Sequence, residues 1–150
     1  MKIQSSAFEY NQQIPSRFTC DGENVNPPLA FSEVPADAKS LVLIMDDPDV
    51  PKTIRPDGTW DHWLAWNMPP TSKAIPENST PAGVVGKNTS GQFGYQGPCP
   101  PDREHRYFFR LYALDTMLEL NQSATKQELE KAMEEHIIVR TELIGCYNRP

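Results

Sequence analysis

The stretch "SLVLIMDDPDVPK", residues 40–52, decides how the chain is read. Its first half does not alternate: Leu41, Val42, Leu43, Ile44 and Met45 are consecutive apolar residues. A half-buried strand interleaves polar residues, so this run predicts a central strand covered on both faces. The second half puts Asp46, Asp47 and Asp49 within four positions. Pro48 removes a backbone donor, and Pro48 and Pro51 drive Asp47 and Val50 into extended geometry. Carboxylates on such a stiffened strand end suit a fixed orienting role. Asp and Pro also make ordinary solvated turns, and "DDPDVP" alone reads that way more readily.

Three further segments read as strands. "DHWLAWNM" (61–68) is stopped by Pro69-Pro70. "HRYFFRLYALD" (105–115) is aromatic and free of breakers. In it His105, Tyr107, Phe109 and Leu111 share one face, and Arg106, Phe108, Arg110 and Tyr112 the other. "ELIGCYNR" (142–149) closes the chain. Between the second and third lies "GVVGKNTSGQFGYQGPCPP" (83–101), a long shaped loop of the kind that carries function. One segment predicts a helix: Thr125 and Glu128 form a capping box, followed by a stripe of Leu129, Ala132, Met133, His136 and Ile137. That stripe is packing surface, and His136 at its edge is a packed or solvent-tipped residue with no assigned chemistry. With fifteen prolines and eight glycines in 150 residues, the pattern predicts one β-rich domain spanning 1–150. A chain of that size buries about 68–70% of its unfolded surface.

A formal charge of −6 repels nucleic acid and anionic membrane surfaces at long range, so neither is an expected partner. No apolar run reaches the ~20 residues of a transmembrane span, and "MKIQSSAFEYNQQ" lacks the apolar core of a secretory signal. Cys20, Cys99 and Cys146 are odd in number and show no CxxC spacing. They read as reduced thiols in a cytoplasm.

Each remaining polar cluster sits where a strand meets a loop: "DDPD", "WDHW" (60–63) and "GPCPPDREHRY" (97–107). Neighbouring strands would gather those ends at one rim, bringing together two imidazoles, a carboxylate, a phenol and glycine-exposed N–H groups. Three chemistries could use that set. One is a metal site of the two-His-one-carboxylate kind, built on His62, His105 and Asp47 without any HxH or HxxxE spacing. Another is a hydrolytic site with Cys99 as nucleophile and His105 or His62 as base, although Cys99 lies between prolines in no thiol-activating motif. The last is an anion pocket, in which protonated imidazoles and backbone donors face a phosphate.

"DPDVP" (47–51), "WDHWLAWNMPP" (60–70), "GKNTSGQFGYQGPCPP" (86–101) and "HRYFFRLYALD" resemble, in order, the phosphatidylethanolamine-binding protein family. "FTCDGENVNPPLAF" (18–31) resembles the opening signature of its bacterial and archaeal, Raf-kinase-inhibitor-like branch. The resemblance implies a mainly β fold: a two-sheet antiparallel, Greek-key-like β-sandwich with a short helix in the C-terminal half. It implies a ligand pocket made from Asp47, Asp49, Trp60, His62, Gly97, Cys99, His105 and Tyr107. That pocket would bind a small phosphate-bearing head group without catalysis, needing no metal and no cofactor. A kinase- or protease-inhibitor-like regulator is also implied, with no protein partner identified by the surface. So is a homodimer, for which aromatic edge strands would supply the surface.

The chain departs from the family pattern at Asn26, at Phe31 and at "DRE" (102–104), where a glycine is usual before H-R-Y. An arginine and two acids near the mouth imply an altered ligand preference. Ending soon after the last strand implies a more open site. Within this frame Asp47 is expected to accept a hydrogen bond from a pocket imidazole, and Asp49 to cap its own turn. Asp46 is expected to project away and be solvated.

Overall fold

The computed structural model describes residues 1–150. Eight strands and one helix follow in the order β1 (Lys2–Gln4), β2 (Leu29–Ser32), β3 (Ser40–Asp47), β4 (Trp60–Met68), β5 (Ala74–Ile75), β6 (Val84–Val85), β7 (His105–Leu114), α1 (Lys126–Met133) and β8 (Ile137–Tyr147). They form two antiparallel sheets, a small one ordered β1-β2-β5 and a large one ordered β6-β4-β3-β7-β8. The fold is mainly β, with a single short helix. No helix is long and apolar enough to cross a membrane.

The central position of β3 explains its unbroken apolar run. Leu41, Leu43 and Met45 face the small sheet, in a core shared with Trp63, Tyr107 and Phe109. Val42 and Ile44 face the other way, into a second cluster with Leu64, Trp66 and the helix residues Leu129 and Met133. The two predicted faces of β7 also separate: His105, Tyr107, Phe109 and Leu111 are buried, whereas on the other face Arg106, Phe108 and Arg110 keep some exposure and Tyr112 is buried in the cluster with the helix.

The capping box at Thr125 forms, with the Glu128 N–H donating to Thr125 Oγ1 at 3.1 Å. The helix ends at Met133, so His136 and Ile137 lie beyond it. The β-branched run Ile137-Ile138-Val139 instead enters β8, where Ile137 pairs with Leu114 and Val139 with Ala113. His136 is solvent-tipped and lies 2.8 Å from the Asp115 carboxylate. The aromatic strand β7 is internal, between β3 and β8. Part of the β8 edge is itself covered: Asn11 and Ile14 donate to the carbonyls of Ile144 and Cys146, both at 2.7 Å. Gly145 permits this approach, because a Cβ there would lie 2.5 Å from Ile14.

Asp46 is not solvated. Its neighbours on the helix-covered face bury it, and its oxygens pair with Arg110 at 3.2 Å and Lys126 at 3.4 Å. Lys126 also holds Asp61 at 2.7 Å, so one ammonium bridges adjacent strands from the first residue of α1. Lys126→Met leaves two carboxylates short of a partner and should cost about 3 kcal/mol in urea denaturation, the range for breaking a buried ion pair. A loss under about 0.5 kcal/mol would reduce this bridge to an ordinary surface pair.

Candidate functional site

Antiparallel pairing sets the site. The last residue of β3, Asp47, lies opposite the first of β4, Trp60, and β7 begins with His105 on the other flank of β3. The end of one strand thus meets the starts of its two neighbours. A register shift lies between Met45↔Trp63 and Asp46↔Asp61, leaving His62 without an opposite residue. Such a bulge turns a side chain from its alternating face. Here it lets His62 point into a crevice while Trp63, next in the chain, packs in the core between the sheets.

The crevice is about 230 Å³. Asp47, Trp60, His62, Gly97, Cys99 and His105 line it, together with Val50, Ile54, Gln96 and Pro101. Asp47 is 3% exposed. Its Oδ1 accepts the Asp49 N–H at 2.8 Å, and its Oδ2 lies 2.6 Å from His105 Nδ1. Burial raises the Asp47 pKa, and the hydrogen bond from His105 works against that rise. The other His105 nitrogen, Nε2, lies 2.7 Å from Asp102 Oδ1, so both ring nitrogens face carboxylates.

Two expected residues lie outside the lining. Asp49 does not cap its own turn; it accepts from the Arg106 backbone N–H (2.9 Å) and, with both oxygens, from its guanidinium (2.8 and 2.9 Å). That bidentate clamp holds its pKa down and ties the Pro-bounded turn to the start of β7. Tyr107 sits one layer deeper, fully buried, its ring edge-on to His62 and stacked with His105. It supports both imidazoles from behind, and burial raises its pKa.

His62 donates through Nδ1 to the Gln96 carbonyl at 2.6 Å, since a carbonyl can only accept. Burial lowers its pKa from 6.5 to about 4, against the pull of that hydrogen bond. His62 is therefore neutral near pH 7, not the charged donor anticipated, and its Nε2 carries a free lone pair. Gln96 also accepts from Trp60 Nε1 at 2.8 Å, so one residue orients two crevice walls. Its only sequence signal was its place within the Gly/Pro-rich loop.

The same loop is fastened to residues 18–24. Cys20 and Cys99 form a disulfide, correcting the expectation of reduced thiols and removing Cys99 as a thiolate nucleophile. Only Cys146 is free, and thiol chemistry no longer argues for a reducing compartment. Gly97 donates its N–H to Asn24 Oδ1 at 2.8 Å, so that donor is not available to a ligand. A Cβ on Gly97 would lie 2.3 Å from the Phe18 carbonyl oxygen, which explains the glycine. No group of three or more His, Cys, Asp or Glu side chains is arranged to hold a metal ion.

Because the fold favours neutral His62, stability is full above the unfolded value near 6.5 and falls as the pH drops toward about 4. A shift of that size is worth roughly 3 kcal/mol. Denaturation curves from pH 7 to 4 should show the loss, and His62→Asn, which keeps a donor for the Gln96 carbonyl, should flatten it. An equally steep profile in the variant would assign the acid sensitivity to other groups. Separately, Asp49→Asn should cost about 1.5–3 kcal/mol at pH 7 through the lost charge-assisted bonds, measured by thermal unfolding.

A family profile described as "Phosphatidylethanolamine-binding protein" matches residues 4–148. A UPF0098 protein of Methanothermobacter thermautotrophicus is 50% identical over 155 residues, covering 99% of both chains. One of Chlamydia trachomatis serovar D is 47% identical over 149 residues, again covering 99% of both. The crystal structure of the phosphatidylethanolamine-binding protein homologue CT736 from Chlamydia trachomatis superposes with a TM-score of 0.96 at 47% identity, covering 99% of this chain and 97% of that one. Escherichia coli YbcL, described as a member of the mammalian PEBP family, gives a TM-score of 0.89 at 27% identity, covering 99% and 98%. The chain belongs to the phosphatidylethanolamine-binding protein family, in its bacterial and archaeal form.

Proposed function

We propose that the protein binds a small phosphate-bearing head group in this crevice without transforming it. The observation that carries the reading is the pair of imidazoles with opposite hydrogen-bonding roles lining one small cavity. His105, with Nδ1 held by Asp47 and Nε2 facing Asp102, presents a donor to a ligand oxygen once Asp102 gives way. His62, with its proton fixed on Nδ1, offers an acceptor suited to a protonated phosphate oxygen or an ammonium group. Val50, Ile54, Trp60 and Pro101 give an apolar wall for the carbons of an ester. A volume of about 230 Å³ lies below the range of drug-sized pockets, which favours a head group over a lipid chain. The family name points to the same chemistry, a phosphate next to an amine.

Hydrolysis through Cys99 would first require breaking its bond to Cys20. Isothermal titration with phosphoethanolamine tests the binding reading. His105→Ala removes one charge-assisted hydrogen bond, about 1.5–3 kcal/mol, and should weaken binding roughly 10- to 100-fold. Unchanged affinity in that variant would refute the site.

A further inference from the structure

The His105 ring lines the crevice yet has no free nitrogen, so an incoming anion must displace one of its two carboxylate partners. The partners are unequal. Asp47 is buried at the strand end and is also fixed by the Asp49 N–H. Asp102 keeps a side chain 40% exposed, on the loop that leads into β7 and three positions ahead of His105. Its second oxygen lies 3.8 Å from Arg103 Nε, a resting place for the carboxylate once released. Pro100 and Pro101 restrict the preceding backbone, so the exchange needs a side-chain rotation more than a loop movement.

We propose that Asp102 is a tethered internal anion that occupies the ligand's place on His105 and thereby sets which anions the site accepts. This rests on the crevice being the binding site. A free carboxylate gains little by replacing Asp102, because it exchanges like for like against a partner tethered at an effective concentration of millimolar or above. A phosphate dianion brings a second charge and a third oxygen, and prevails. Asp102 therefore makes the site selective for phosphate over carboxylate, at the expense of affinity for both. The departure "DRE" before the H-R-Y stretch is thus a specificity element.

The test titrates the full chain with inorganic phosphate and, separately, acetate, in the unmodified protein and in Asp102→Asn, Asp102→Ala and His105→Ala. Removing the internal charge should tighten phosphate about tenfold or more, and should bring acetate binding into the measurable range. His105→Ala should abolish the gain when combined with Asp102→Asn. If both Asp102 variants bind phosphate no better than the unmodified protein while His105→Ala binds worse, the displacement proposal falls and the crevice stands. If His105→Ala also leaves binding unchanged, the crevice reading itself fails. Tighter phosphate binding with acetate still excluded would overturn the selectivity claim. Asp102 is exposed, so neither substitution threatens the fold, and unchanged thermal unfolding checks this.

Discussion

Asp47 is a carboxylate with almost no access to water, and a group in that position is tolerated only when its lone pairs are answered. The answers come from two directions. The Asp49 N–H bends the chain back after Pro48, and the His105 ring closes the gap to β7. One side chain therefore sets the direction in which the chain leaves β3 and the angle at which an imidazole faces the crevice. The Asp49–Arg106 clamp then repeats the same link, turn to strand start, a few ångströms away. Take away the Asp47 anchor and both the turn and the ring lose their reference.

The crevice is not a simple positive bowl. Burial strips His62 of its proton, and His105 is shared between two carboxylates, so the lining presents a pattern of donors and acceptors more than a net charge. This reconciles an acidic chain with the proposed phosphate-type ligand: recognition would be local, and the long-range field would contribute little.

Much of the fold was legible because local and global demands agree. The unbroken apolar run of β3 announced a strand with two covered faces, and the breaker-free β7 announced its alternation. That residues 47, 62 and 105 lie at neighbouring strand ends was legible, but the bulge that turns His62 into the crevice was not. What escaped depends on neighbours distant in sequence. Asp46 reads as solvated until α1 is known to lie across that face. Asp49 finds its partner 57 positions away, and Cys20 and Cys99 are separated by 79. Alternation placed Tyr107 on the side of His105 but could not tell that it sits one layer deeper. The proton on His62 was misjudged because residue type does not report burial. The end of α1 was overrun because a helical stripe and a β-branched run overlap at Ile137, where strand pairing prevails.

The segment from Asn11 to Ile14 that seals the rim of β8 has a kinetic corollary. It joins residues such as Asn11 and Cys146, 135 positions apart, so the seal closes one of the longest loops the chain can form. Contacts of that span are slow to find. Until residues 11–14 have docked, the outer hydrogen-bonding groups of β8 remain bare and ready to pair with another molecule. Crowded refolding would therefore expose this rim to misassembly well before the crevice itself is at risk.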